Sequence, residues 1–278
     1  MISPFRENLF EGRVALVTGG GTGIGRGITE ALAAHGASTA ILSRKAEHLT
    51  PTAEAIAAAT GRPCLPLVAD VRQPDQVDEA LARLRAEFGR IDILVNAAAG
   101  NFFCPSADLS PNGFGTVLDI DTKGTWNVCR AAYHAGMGET GGAILNISAT
   151  LHIGGTPGQL HVAAAKAAID ALTRTLAVEW GPRSIRVNAI APGPIGDTEG
   201  ARRLFPAEAA ELLRGLVPNR RLGTIADIAN LSLFVLSEAG ANLNGAILIS
   251  DGGLSLASSF GLGFERLLNR SATRTGDS

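Results

Sequence analysis

Short runs of Val, Ile and Leu recur along this chain, each followed by a longer stretch with helical spacing. That rhythm constrains the fold more than any other feature. The runs fall at 13–18, 38–42, 64–68, 91–95, 143–147, 185–190 and 246–249. A strand that is apolar on successive residues buries both of its faces. Such strands separated by helices predict an α/β chain, a doubly wound parallel sheet of about seven strands with helices on both sides. Pro66 is awkward in the third run, because a central strand needs the N–H that proline lacks. The length of 278 residues, with 46% hydrophobic and 18% charged, suits a single domain with a sizeable core. The rhythm covers 13–253. Residues 196–221 interrupt it and carry Arg202, Arg203 and Arg214, which reads as an insertion forming a lid over a substrate cleft. Residues 254–278 read as a C-terminal tail.

The first run leads directly into Thr18-Gly19-Gly20-Gly21-Thr22-Gly23-Ile24-Gly25 and then a helical pattern over 23–36. Glycines at a strand-to-helix junction let the backbone turn tightly and approach a pyrophosphate, and the helix end offers free N–H groups. This is the opening of a Rossmann fold, and it predicts a dinucleotide on Gly19, Thr22, Gly23 and Ile24. The second run ends in Ser43-Arg44-Lys45, where an NAD-selective site places a carboxylate on the ribose. A hydroxyl and a guanidinium fork suit a ribose phosphate instead, so the expected cofactor is NADP(H), held at Ser43 and Arg44. Asp70 and Val71, after the third run, are expected to border the adenine. Asn96, Ala97 and Ala98, after the fourth, form a small-residue turn that a cofactor can pass closely.

The net charge of −2 gives no footprint for nucleic acid, and no apolar run has the length of a membrane span. The first residues lack the apolar core of a secretory leader, and Thr275-Gly276-Asp277-Ser278 is not a peroxisomal tripeptide. Cys64, Cys104 and Cys129 are odd in number and lack metal-ligand spacing. Read together, these features lead to the expectation of a cytoplasmic protein with reduced thiols and no metal site.

The glycine turn, Asn96 to Gly100, Lys166, Pro192-Gly193-Pro194-Ile195 and Asp251-Gly252-Gly253 together resemble the short-chain dehydrogenase/reductase family, over residues 13–253. The resemblance implies that Lys166 holds the nicotinamide ribose and that Pro192, Gly193, Ile195 and Thr198 lie along the cofactor. It also implies pairing through the helix at 162–180 into a homotetramer. Two positions depart from the family. Its serine is replaced by Ala149, and its tyrosine proton donor by Val162. Further strings, among them Asn96-Ala-Ala-Ala-Gly-Asn-Phe-Phe-Cys-Pro105, Asp119-Ile-Asp-Thr-Lys-Gly-Thr125 and Leu176-Ala-Val-Glu-Trp-Gly-Pro182, are similar to the peroxisomal-type 2,4-dienoyl-CoA reductases and their bacterial relatives. That branch keeps the lysine, lacks the tyrosine and has an aspartate at Asp121.

Carbonyl reduction develops charge on oxygen, for which a phenol is a suitable donor. Reduction of a conjugated dienoyl thioester ends with protonation of carbon, and a water held by a carboxyl group serves. The expected catalytic residues are therefore Asp121 and Lys166, with Asp119 facing elsewhere because residues two apart do not share a helix face. The branch resemblance implies an acyl-CoA substrate from fatty-acid degradation, bound near Arg72, Phe102, Ser110 and Asn112. Thr150 beside the vacant serine position is a candidate for the thioester oxygen. His161 and His152 are alternative proton donors. Two other readings stand beside this one: a carbonyl reductase using His161 or water, and a non-catalytic NADP(H)-binding protein.

Overall fold

The computed structural model describes residues 4–200 and 207–257. Arg202, Arg203 and residues 258–278 lie outside them. Seven strands form one parallel sheet in the order β3-β2-β1-β4-β5-β6-β7. They are β1 (Val14–Thr18), β2 (Ser38–Ser43), β3 (Cys64–Val68), β4 (Ile93–Asn96), β5 (Gly142–Ile147), β6 (Ile185–Pro192) and β7 (Ile247–Ser250). The α-helices of four or more residues are α1 (Gly23–Ala34), α2 (Ala46–Thr60), α3 (Pro74–Phe88), α4 (Pro111–Leu118), α5 (Gly124–Ala132), α6 (Leu151–Gly154), α7 (Leu160–Trp180), α8 (Ala207–Leu216) and α9 (Ile225–Leu236). Among the described residues, no helix is long and apolar enough to cross a membrane.

The continuous apolar runs meet the double burial they imply. Leu16, Leu42, Leu94 and Val187 point into a core on one side of the sheet, shared with α3, α5 and α7. Val17, Val95, Leu145 and Ile190 point into the other, shared with α1 and α9. Pro66 is accommodated because β3 is an edge strand, bonded to β2 alone.

Boundaries differ from the sequence reading for local reasons. β4 begins at Ile93 rather than residue 91, although Asp92 N still donates to the Val14 carbonyl and its own carbonyl accepts from Ala143 N; Asp92 adds a side-chain clasp. Asp92 Oδ2 accepts the Val14 N–H at 2.9 Å, and Arg13 and Arg90 both pair with the same carboxylate. β6 runs two residues beyond 190, through Pro192, where β7 continues to pair with it up to Ser250. α1 stops at Ala34, where His35 caps the helix end through Nδ1 on the Ala31 carbonyl.

The order reverses between β1 and β4, which run parallel side by side while their chains leave in opposite directions. A cleft opens beyond the carboxyl ends of strands at such a switch point. The flanks of the segment 196–221 are bonded to each other, and its later part packs on the turn after β7, with Val217 against Gly252 and Asn219 N donating to the Gly252 carbonyl at 3.2 Å. Ile195 bridges Gly223, Gly196 N donates to the Gly223 carbonyl, and Gly223 N to that of Pro194. The following helix, α9, starts with a full capping box: Thr224 accepts from Asp227 N, and Asp227 accepts from Thr224 N. Arg221, on the same carboxylate, holds the Asp227 carboxyl down at about 2. A depressed carboxyl stabilises above its unfolded value and loses that contribution as pH falls through its folded one. Asp227→Asn is therefore expected to lose about 1 kcal/mol of stability at neutral pH. The difference from wild type should close between about pH 4 and pH 2, as urea unfolding at both ends of that range would show.

Candidate active site

The glycine turn owes its shape to close packing. A Cβ on Gly19 would lie 2.9 Å from the Ala97 carbonyl oxygen, and one on Gly25 2.5 Å from that of Gly19. Strand, turn and helix are thereby drawn against the β4 loop. Gly23 has a φ of +53° and faces open space, with Thr198 at 4.0 Å from its would-be Cβ. Thr22 stands at the N-cap of α1, but its side chain caps nothing, and the first turn carries no acid. α4 and α9, by contrast, are capped by Ser110 and Thr224. The donors of α1 thus face the cleft uncapped by the chain, and a pyrophosphate fits them.

Around this turn the other expected cofactor residues are spread along the strand ends. Ser43 is half-buried at the end of β2 and Arg44 is exposed beside it. Asp70 holds Arg72 in a fork, with Nε 3.0 Å from both carboxylate oxygens and Nη2 2.6 Å from Oδ2. Arg72, and more distantly Arg44, hold the Asp70 carboxyl below the usual carboxylate range. Val71 is buried against Gly124, and its carbonyl accepts from Asn127. The amides of Ala97 and Ala98 both donate to Thr18 Oγ1 at 3.1 Å, so they present small surface to the cleft rather than free donors. The Asn96 side chain turns inward to Asn146 and Cys129. Pro192, Gly193 and Ile195 follow β6, with Gly193 packed so closely on Asp251 that a Cβ would lie 2.6 Å away. Thr198 donates to the Ile195 carbonyl at 3.2 Å.

Asp121 and Lys166 meet at the centre. A widened π turn, Asp119–Lys123, joins α4 to α5 and turns Asp121 fully inward while Asp119 stays exposed. Asp121 Oδ1 accepts the Gly100 N–H at 2.7 Å. Its Oδ2 lies 3.0 Å from Lys166 Nζ in an ion pair, yet accepts no well-directed hydrogen bond. Lys166 Nζ donates to the Ile147 carbonyl at 3.0 Å. One carboxylate therefore ties together the β4 loop, the π turn, α7 and the end of β5.

The tyrosine position is filled, not empty. Val162 is buried with Val117, Ala165 and Leu151 in a small apolar cluster. His161 is fully buried, with Nε2 3.0 Å from the Phe102 carbonyl and its ring stacked on Phe102 at 4.1 Å. It builds the wall rather than facing the cleft. His152 is held through Nε2 by Asp170 at 2.9 Å, and the same carboxylate accepts Ser148 Oγ at 2.6 Å. Ser110 spends its hydroxyl on the Gly113 N–H as the cap of α4, Asn112 is exposed one turn further, and Thr150 sits half-buried at the start of α6.

Asp170 and Gln159 hold side chains and backbone around the site, and sequence reasoning missed both. Lys166, Asp170 and Thr173 recur at i, i+4 and i+7, and all three are buried. That polar stripe on one helix face was a readable signal. Gln159, which donates to the Phe102 carbonyl at 3.0 Å, gave none.

A family model described as enoyl-(acyl carrier protein) reductase matches residues 19–255. The peroxisomal 2,4-dienoyl-CoA reductase [(3E)-enoyl-CoA-producing] of Rattus norvegicus is 49% identical over 250 residues, 90% of this chain and 86% of the relative. A citronellol catabolism dehydrogenase of Pseudomonas aeruginosa PAO1 superposes with a TM-score of 0.81 at 39% identity, covering 91% of this chain and 99% of that one. An actinorhodin polyketide ketoreductase variant solved with NADPH superposes with a TM-score of 0.83 at 27% identity, covering 87% and 97%. The chain belongs to the short-chain dehydrogenase/reductase family and is an oxidoreductase of the kind that uses a nicotinamide cofactor.

These names correct one expectation. Relatives at 45–49% identity are called peroxisomal, which points away from the cytoplasm. Free thiols do not separate one reducing compartment from another, so the cysteines could not carry that inference.

Val162→Tyr would force a ring into the cluster of Val117, Ala165 and Leu151. Overpacking of this kind costs roughly 1–3 kcal/mol, so thermal unfolding should fall by several degrees. No ketone reduction should appear in a panel assay, because the phenol would be forced into that apolar cluster.

Proposed function

We propose that this chain reduces 2,4-dienoyl-CoA to 3-enoyl-CoA with NADPH in unsaturated fatty-acid degradation. The observation that carries the reading is the buried Asp121–Lys166 pair beside a tyrosine position packed shut by Val162. A site built to protonate a ketone oxygen has no use for that replacement. A site that spreads charge through a thioester and protonates carbon needs a cation and a held water. The names of the relatives agree with this substrate class.

NADPH, when bound, supplies the hydride. Lys166 places its ammonium at the ribose and near the developing dienolate, fixed in position by the Ile147 carbonyl and Asp121. Thr150 donates to the thioester oxygen. Asp121 Oδ2 is sealed from water in the free protein, so the water it orients enters with the ligands; that water gives its proton to the α-carbon and the hydroxide left is reprotonated from solvent. Gly100 N–H anchors the other oxygen and keeps the carboxylate from swinging. Ser43 and Arg44 receive the ribose phosphate, and Arg72, Phe102, Ser110 and Asn112 border the acyl-CoA. The described parts of 196–221, its flanks and α8, are the candidate lid over the cleft. Val178, 79% exposed on α7, and Trp126, 39% exposed on α5, are apolar surfaces for subunit pairing into a homotetramer.

Asp121→Asn keeps the acceptor for Gly100 and removes the charge. Turnover of hexa-2,4-dienoyl-CoA should fall roughly 10²–10⁴-fold, while NADPH fluorescence still reports cofactor binding. Wild-type turnover in this variant removes Asp121 from proton delivery, and turnover of ketones alone by the wild type favours a carbonyl reductase. Arg44→Ala should weaken NADPH about 10- to 100-fold, the loss expected for a charge-assisted hydrogen bond, and leave NADH unchanged. Steady-state KM values for the two cofactors decide it.

A further inference from the structure

A groove of about 500 Å³ lies between two loops at the β4–β5 side of the cleft, lined by Phe103, Cys104, Pro105, Ser106, Pro157 and Gly158. We infer that this groove takes the distal hydrocarbon tail of the acyl thioester, beyond the diene, and so sets a preference for medium and long chains. The inference rests on the dienoyl-CoA reading and deepens it.

The chemistry of the lining selects the occupant. It contains no charged side chain, whereas a coenzyme A nucleotide needs cations for its phosphates. Arg72, assigned above to the acyl-CoA, follows β3, on the opposite side of β1 from the two groove loops. The strand order therefore separates that cation from the apolar groove, which lies on the same β4–β5 side as Asp121 and Lys166. Exposed apolar side chains border the groove in sequence: Ile153 at 49%, Leu160 at 48% and Phe103 at 48%.

The groove also continues from the reaction centre. Gly100 donates to Asp121, and Cys104 N donates to the Gly158 carbonyl at 3.0 Å. The segment between them is one wall running from the carboxylate to the groove. Three residues span about 11 Å at most, so Phe103 lies within a short acyl tail of Gly100. Phe102, between the two, is fixed from behind by Gln159 and His161. The opposite wall, Pro157-Gly158, belongs to the loop between α6 and α7. Gly158 has a φ of +75°, and a Cβ there would come 3.3 Å from the Phe103 ring.

Cys104 is a natural reporter. It is half-buried in the groove, whereas Cys129 is fully buried with its thiol pushed up to about 12 by burial. Wild-type protein with NADP⁺ is alkylated with N-ethylmaleimide, and labelling at Cys104 is followed by peptide mass spectrometry. Saturated acyl-CoAs serve as protectors. Butyryl- and hexanoyl-CoA should leave the rate unchanged at saturation, while decanoyl- and dodecanoyl-CoA should slow it at least tenfold. In turnover, each methylene that reaches the groove should raise kcat/KM about fourfold, so deca-2,4-dienoyl-CoA should exceed hexa-2,4-dienoyl-CoA by more than tenfold. Ser106→Trp, which fills the groove from an exposed position, should abolish that advantage and spare the hexadienoyl rate. Equal protection by short and long chains overturns the assignment, as does protection that follows protein concentration, which would make the groove an interface between copies. Loss of dienoyl turnover with chain-length-dependent protection intact would fail the reductase reading and keep the groove.

Discussion

A buried ion pair holds the site together. Asp121 and Lys166 come from different helices, and each is also tied to backbone, at Gly100 and at Ile147. Removing either partner would leave a charge in a dry interior, which is far more costly than the pair itself. The consequence is geometric: the β4 loop, the π turn, α7 and the end of β5 are locked relative to one another before any ligand arrives. Pre-organised charge of this kind stabilises a developing anion without reorganising at the moment of reaction.

The rest of the molecule serves that lock through the sheet. Because β1 and β4 are neighbours, the glycine turn and the Gly100 loop reach the same opening. Asn146 extends the arrangement downward, bonding Asn96 on β4 and Thr173 on α7 inside the core. Polar side chains buried so deeply are tolerable only when partnered. These partners fix the register between strand and helix that brings Lys166 opposite Asp121.

The apolar runs made the strand positions legible, because double burial leaves a run with no alternation to misread. Their ends were less legible. The clasp of Asp92 on Val14 and the continued pairing of β6 with β7 to Pro192 are tertiary facts with no local signature. The glycine turn was readable because Gly19, Gly23 and Gly25 each answer a backbone demand. Asp121 and Lys166 stood out by resemblance, but their direct contact did not, since forty-five residues separate them and a π turn sets the angle. The surroundings of the histidines were not legible, for a physical reason. A sequence shows that an imidazole exists, not that Phe102 covers one and Asp170 occupies the other.

The bridge between Ile195 and Gly223 has an evolutionary consequence. With Gly196 and Gly223 bonded across the junction, the end of β6 and the start of α9 hold their places independently of the exposed side of α8. Substitutions on that side can therefore accumulate without moving the sheet.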